Sequence, residues 1–368
     1  MKKVLFFAFC FGAATASAQA PNNTLKSVVD SFRVAYQIPA VAASVITPDT
    51  ILFGLSGSKK IESQEEVEHK SLFHLASNTK AITATLAAKL VEAGKVSWTD
   101  KLVDVIPELD GVVKPDYRDV TLEQFLAHQG KVRPFEDDGS KEWKNMPKTI
   151  SNAENQRLEF AKYALSLPPI KAKKSGVPYS NGGYIVATAM LEAASGKSWE
   201  ALVGELFDEL GLEYFIGFPS QKSAQETFGH QKTRRSYKSI PPEKEYPLEK
   251  FFAPTGNLSM SVHDFSKFIQ LHLQGLLGND NFLQPQTFQK LHFGFSGYAL
   301  GWYNGNIGAS KQKFSYHGGS LGTYSSAVMV SADREVAIIV LVNADNKDVS
   351  ELKNKLREYF WKQYGGLQ

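Results

Sequence analysis

Ser77-Asn78-Thr79-Lys80, Tyr179-Ser180-Asn181 and His317-Gly318-Gly319 are three short stretches whose residue types combine into one chemistry. A serine and a lysine three residues apart on a helix share a face, so the amine reaches the hydroxyl. The free N–H groups and positive dipole end at that helix start stabilise negative charge arising at the serine. A lysine partly buried near another cation loses its proton more readily and can act as a base. A phenol such as Tyr179 can relay a proton between nucleophile and leaving group. An asparagine such as Asn181 presents a donor and an acceptor to a substrate amide. Beside Gly318 and Gly319 a substrate can lie against a strand edge. The His317 imidazole there can carry positive charge or hydrogen-bond across to Lys80 and Tyr179. In that order the residues make an acyl-transfer site.

Each stretch is common by itself. Ser-x-x-Lys also occurs at Ser56/Lys59, Ser310/Lys313 and Ser350/Lys353, in polar turns or on a solvated helix. Only Ser77 opens a strongly apolar helix, with Ala81, Ile82, Thr85, Leu86, Ala88 and Leu90 spaced for burial. An ordinary N-cap serine is the competing reading there. Tyr179 lies in a loop between Pro178 and Gly182-Gly183, where the backbone can approach a ligand. His-x-Gly recurs at His128 and His292, near predicted helix ends, and both read as structural. The His128 imidazole is expected to tie a loop to its helix.

Spacing of apolar residues predicts the elements that position these groups. Helices are expected over 24–37, from Ser77 to Ala93 where Gly94 stops it, and near 121–128, 153–166, 183–195, 198–209 and 347–363. Ser261-Val262-His263-Asp264 has capping-box spacing and starts another. Strands are expected at Ala40–Ile46 and Thr50–Leu55, joined by Pro48-Asp49, then at Tyr298–Tyr303, Lys313–His317, Ser325–Val330 and Val336–Asn343. Strands at both ends with helices between imply an α/β (α+β) fold. Its antiparallel sheet is flanked by N- and C-terminal helices and carries an inserted all-helical lobe. The expected α/β lobe is about 19–76 and 250–368, the helical lobe about 77–249, and the cleft between them is where a small-molecule site tends to form.

The beginning of the chain reads as an export signal over residues 1–18: basic Lys2 and Lys3, apolar Val4 to Ala14, then Ala16-Ser17-Ala18. The expectation is a periplasmic or secreted protein with no integral membrane segment after signal removal, since no later run approaches the roughly 20 apolar residues a span needs. The one cysteine, Cys10, lies in that segment, so disulfides, a cysteine nucleophile and thiolate metal sites are excluded from the mature chain. The formal charge is +3, or +1 without Lys2 and Lys3. The basic stretch from Lys171 to Lys174 reads as a solvated loop, and neither nucleic acid nor anionic membrane is an expected partner.

Taken together, these motifs resemble the serine β-lactamase and penicillin-binding superfamily, nearest its branch of class C β-lactamases, DD-carboxypeptidases and related esterases and D-amino-acid hydrolases. Phe73 to Lys80, Thr121 to His128, Pro178 to Tyr184, Gly301-Trp302 and His317 to Gly322 carry the resemblance. It implies that Ser77 is the acylated nucleophile and Lys80 its base. Tyr179 would protonate the leaving group, Asn181 would bind substrate, and His317 would stand at the usual Lys/His position. The backbone N–H groups of Ser77 and Ser320 would form the oxyanion hole. Where Thr or Ser is usual, this chain has Gly318, which offers no hydroxyl to a substrate carboxylate, although Ser320 can be expected to compensate. The lost charge-assisted bond is worth about 1.5–3 kcal/mol. His128-Gln129-Gly130 also replaces the usual His-Thr-Ser-Gly.

Two other hydrolase readings fail on the residues. Gly318-Gly319-Ser320-Leu321-Gly322 matches a nucleophile elbow, but that fold needs a histidine after the serine, and none follows His317. The eight histidines include no His-x-His and no His-Glu-x-x-His, so no metal and no cofactor is expected. The expected partner is a small-molecule or peptide acyl donor. The alternative is a non-catalytic or slowly turning over binding or assembly protein of the same fold.

Overall fold

The computed structural model describes residues 21–136, 139–171, 178–234, 236–307 and 312–365. The expected export signal, Ser310, Lys173 and Lys174 lie outside the described residues. Six strands form the main sheet: β1 (Ala40–Ile46), β2 (Ile51–Gly57), β3 (Tyr303–Ile307), β4 (Gln312–Leu321), β5 (Tyr324–Ser331) and β6 (Val336–Val342). Their spatial order is β2-β1-β6-β5-β4-β3, and every neighbouring pair is antiparallel. The two ends of the chain meet at the β1–β6 ladder, where Val41 faces Val342 and Ile46 faces Ala337.

The longer helices are α1 (Pro21–Tyr36), α2 (Thr79–Glu92), α3 (Leu122–Leu126), α4 (Gln156–Ser166), α5 (Asn181–Ser195), α6 (Trp199–Leu210), α7 (Val262–Leu276), α8 (Pro285–Phe293) and α9 (Lys347–Tyr364). Period-two alternation divides β6 between two cores. Val336, Ile338, Val340 and Val342 pack with Leu25 and Val29 of α1 and Leu352, Leu356 and Phe360 of α9. Ala337, Ile339 and Leu341 join the second core, with Phe265, Ile269 and Leu273 of α7. A strand covered on both faces can be apolar throughout, which explains the unbroken run Val-Ala-Ile-Ile-Val-Leu-Val.

Residues 79–256 are mostly helix and loop, and among the described residues there short strands occur only at Phe215–Ile216, His230–Lys232 and Tyr237–Ser239. The α2 helix is buried on every side from Thr79 to Ala88, as an apolar helix enclosed by its neighbours must be. Around it pack α5, α6 and α8, and α5 in turn packs on α3 and α4. A second sheet, with Leu258–Ser261 between Leu72–His74 and Phe215–Ile216, leads into α2. Among the described residues no helix is long and apolar enough to cross a membrane.

Candidate active site

The chain leaves the strand Leu72–His74 through one tight 3-10 turn, Ala76–Asn78, and enters α2. Ala76 takes φ 47°, a left-handed conformation that costs a residue bearing a Cβ and persists only where its surroundings enforce it. Those surroundings are hydrogen bonds. Ser326 Oγ donates to Leu75 O and accepts from Asn78 Nδ2, both at 2.6 Å. Thr79 Oγ1 donates to Ala76 O at 2.8 Å, and Ala76 N donates to His74 Nδ1 at 3.2 Å. From Ser71 to Ala88 every residue is buried except Ser77. Asn78, not Ser77, stands at the helix N-cap, and no side chain caps the helix. The ordinary N-cap reading of Ser77 is therefore replaced by a hydroxyl presented on a clamped turn.

One helical turn on, Lys80 is fully buried. Its Nζ stands 3.4 Å from Ser77 Oγ and donates to Thr255 O at 2.6 Å. It also lies over the rings of Tyr179 (4.7 Å) and Tyr184 (5.6 Å). Burial drives the Lys80 pKa well below the ordinary lysine range, while the Glu136 carboxylate pulls it back up. A buried amine in this setting gives up its proton far more easily than one in water.

Tyr179 is held by the segment before it in space. His128 Nδ1 accepts from Ser180 N at 3.1 Å, so His128 ties this loop to the end of α3, as its sequence context predicts. Ser180 Oγ donates to Arg133 O (2.9 Å) and caps α5 by accepting from Gly183 N (3.0 Å). Asn181 N donates to Pro134 O at 2.8 Å. Gly182 is required here, since a Cβ would fall under 3.0 Å from Arg133 O and the side chains of Val132 and Phe135. The Tyr179 hydroxyl is buried without a closed hydrogen bond. Burial raises its pKa, and the neighbouring Ser77 hydroxyl draws it down.

Sheet edge and helix turn meet at β4. Pairing with β3 ends at Tyr316, opposite Tyr303, whereas pairing with β5 continues to Leu321. Residues 317–321 thus form an edge with no β3 partner, beside the Ser77 turn. Such an edge can take an extended substrate as an added strand. Gly319 permits the approach, because its missing Cβ would overlap Leu75 O.

Two expectations change. The hydrogen bonds of His317 go elsewhere than to Lys80 and Tyr179, although its ring lies 6.2 Å from the Tyr179 ring. Its Nδ1–H donates to Gly318 O (2.9 Å) and its Nε2 accepts from Tyr298 Oη (3.2 Å), a tautomer assigned from those partners. Burial, then the charge of Lys80, lowers its pKa to about 3, so it supplies no positive charge at neutral pH. Ser320 does not compensate for Gly318 either: its hydroxyl donates to Asp345 Oδ2 and faces a carboxylate instead of awaiting one.

Ser77, Tyr179, Asn181 and Ser320 line one cleft of about 460 Å³, along with Glu136, Trp143, Leu248, Glu249, Phe252 and Thr255. Glu136 and Tyr298 were not singled out by sequence reasoning. Neither belongs to a motif: Glu136 begins the run Glu-Asp-Asp, and Tyr298 stands at the start of an expected strand. The three predicted stretches do converge, with Lys80 beneath Ser77 and His317 behind Tyr298.

A profile of the family described as Beta-lactamase matches residues 25–359. The chain belongs to the Beta-lactamase family. Penicillin-binding protein 4 of Amycolatopsis lactamdurans is 24% identical over 66% of this chain and 62% of its own. The Beta-lactamase of Lysobacter lactamgenus is 23% identical over 74% and 67%. Unguisins hydrolase ungD of Aspergillus violaceofuscus is 24% identical over 64% of this chain and 42% of its own length. The chain thus spans about two-fifths to two-thirds of these curated relatives. Among solved structures, the octameric penicillin-binding protein homologue from Pyrococcus abyssi superposes with TM-score 0.72 at 19% identity, covering 93% of this chain and 77% of that one. SurE superposes with TM-score 0.73 at 20% identity, covering 94% and 76%. At these identities the likeness to the solved structures is one of fold.

Proposed function

We propose that the protein hydrolyses an amide or ester acyl donor through a covalent acyl-enzyme on Ser77. The observation that carries this reading is the Ser77–Lys80 pair: a partly exposed hydroxyl on a clamped turn, 3.4 Å from a fully buried amine. With its pKa lowered by burial, Lys80 in its neutral form takes the Ser77 proton as Oγ attacks the acyl carbon. The backbone N–H groups of Ser77 and Ser320 receive the developing oxyanion. Tyr179, its hydroxyl otherwise unpartnered, passes a proton to the leaving group and afterwards helps water displace the acyl group from Ser77. The high pKa that burial confers keeps the phenol protonated, as a donor must be.

The substrates favoured are esters or amides that need no carboxylate for recognition, since Gly318 bears no hydroxyl and the Ser320 hydroxyl is engaged by Asp345. Export through residues 1–18 to the periplasm or the medium completes the proposal. It rests on the basic, apolar and small-residue order of that segment.

The test is intact-mass detection of an acyl adduct across a penicillin, a D-Ala-D-Ala peptide and a short p-nitrophenyl ester, with Ser77→Ala in parallel. Wild type acquires the acyl mass from at least one donor, and folded Ser77→Ala neither acquires it nor turns over, with a loss of several orders of magnitude. Near-wild-type turnover by a folded Ser77→Ala protein refutes the mechanism. Wild type that is never acylated and never turns over favours a binding protein of the same fold.

A further inference from the structure

Behind the strand edge beside Ser77 lies a polar cluster that the acyl-transfer steps do not use. Lys353 of α9 donates through Nζ to Ser325 Oγ on β5 and, at 3.3 Å, to Ser326 O. Ser325 is buried, and its hydroxyl donates in turn to Gly319 O at 3.2 Å. Asp345, just beyond β6, accepts from Ser320 Oγ. It also attracts the Ser325 hydroxyl, but the bond which that hydroxyl forms is the one to Gly319 O. Burial brings the Lys353 pKa down to about 8, and the Asp345 carboxylate resists the fall. The amine therefore keeps most of its charge at neutral pH.

Gly319 C=O and Ser320 N–H belong to one peptide unit. The described backbone contains no cis bond, so the two groups point in opposite directions. The carbonyl faces Ser325 on β5. The N–H therefore faces the side of β4 that has no strand partner, where Ser320 and Ser77 line one cleft. Hydrogen bonds in series polarise one another. A proton given to Gly319 O thus makes Ser320 N–H a better donor, the more so with an ammonium behind the hydroxyl that gives it. We propose that Lys353 and Ser325 are positioning residues for the oxyanion hole: the chain from the Lys353 ammonium through Ser325 Oγ to Gly319 O fixes and polarises the Ser320 N–H. This inference rests on the Ser77 acyl-enzyme reading and deepens it. The second Lys353 bond, to Ser326 O, is a separate route, since Ser326 Oγ clamps the Ser77 turn.

The experiment compares wild type, Lys353→Met, Ser325→Ala and the double variant at pH ~7, after circular dichroism confirms folding. It reads kcat and KM for a p-nitrophenyl ester. It also reads the rate of fluorophosphonate labelling at Ser77, whose phosphorus centre places a negative oxygen in the same hole. Removing a whole oxyanion donor costs about 100- to 1,000-fold in kcat. Strengthening of about 10–30% per bond on that logarithmic scale predicts a fall of about two- to eightfold in Ser325→Ala. Acylation and deacylation both pass through an oxyanion, so kcat falls whichever step is slower, while KM stays within about twofold. Lys353→Met is expected to lower kcat and the labelling rate by a larger factor in wild type than in Ser325→Ala, where the chain is already cut. Any loss through the Ser326 route persists in both backgrounds. Single variants with wild-type kcat and labelling rate, a loss confined to KM, or an equal factor for Lys353→Met in both backgrounds overturns the inference and leaves the hydrolase reading standing. Wild type that is neither labelled at Ser77 nor turns over removes the acyl-enzyme reading and this inference with it.

Discussion

Adding one methyl group at Gly319 presses directly on the turn that carries the nucleophile. Gly319 lies opposite Ser326 in the β4–β5 ladder. A Cβ there would fall under 3.0 Å from both Leu75 O and Ser326 Oγ, and at 3.0 Å from Ala76 Cβ. Those atoms are the clamp itself, since Ser326 Oγ bonds Leu75 O and receives Asn78 Nδ2. Strand and turn must part by roughly 1 Å to restore ordinary contact. Ala76 is already at φ 47°, so the turn has little room to yield. Overpacking of this kind costs about 1–3 kcal/mol, and a displacement of about 1 Å at a nucleophile costs about 100-fold in rate. At Gly318, by contrast, a Cβ meets only Ser326 O, at 3.9 Å. Gly318→Ala is therefore expected to keep its stability within about 0.5 kcal/mol and to lose far less activity. Urea midpoints from circular dichroism and kcat/KM on a p-nitrophenyl ester read both quantities. Gly319→Ala with wild-type kinetics and stability, or Gly318→Ala equally damaged, refutes the reasoning.

Lys80→Ala should abolish the acyl-enzyme burst in stopped-flow traces, whereas Tyr179→Phe should retain a burst and slow deacylation; the reverse pattern means their roles are exchanged. Glu136 holds the Lys80 pKa up against burial, so Glu136→Gln lowers it and should move the acid limb of kcat/KM to lower pH. A limb that moves to higher pH contradicts the assignment of Lys80 as base. His74 and His230 are held to about 4, and His272 and His317 to about 3, chiefly by burial, while unfolded imidazoles titrate near ~6.5. Between those values the unfolded chain binds more protons, so stability is complete above pH ~6.5 and falls as pH falls towards ~4. Unfolding at pH ~5.5 should take up about two or more protons, and a urea midpoint constant from pH ~7 to ~5 would sink this account.

How much was legible in the sequence depended on whether the determining signal was local. Helix α9 and strand β6 carry their periods in their own residues, and α7 announces its start through Ser261, whose Oγ accepts from Asp264 N at 3.0 Å. Ser77, Lys80 and Tyr179 could be placed because each lies in a motif whose neighbours define its backbone. His317 could not be oriented. Its partner Tyr298 is nineteen residues away in sequence and lies just before β3, which begins at Tyr303 opposite Tyr316. The bond between Ser320 and Asp345 likewise depends on β4 and β6 ending at one rim of the sheet. Glu136 had no distinguishing signal, because its position over the cleft follows from Arg133, Pro134 and Phe135 binding the Tyr179 loop through their carbonyls.

The base strength of Lys80 is a property of its enclosure more than of any one partner. The two imidazoles near it, His128 and His317, are held neutral by burial and by the lysine charge itself. The phenols of Tyr179 and Tyr184 offer ring faces at 4.7 and 5.6 Å, which favour the ammonium but accept no proton from it. The carboxylate acting on Lys80, Glu136, sits at the exposed mouth of the cleft, where water weakens its pull. Desolvation therefore outweighs the attraction of Glu136 and moves the balance towards the neutral amine that can accept the Ser77 proton, without a second buried cation. The packing around α2 thus bears directly on the chemistry. Opening a water path to Lys80, for instance by shortening Tyr184, would return its pKa towards the solvent value and weaken the base at neutral pH while leaving Ser77 itself in place.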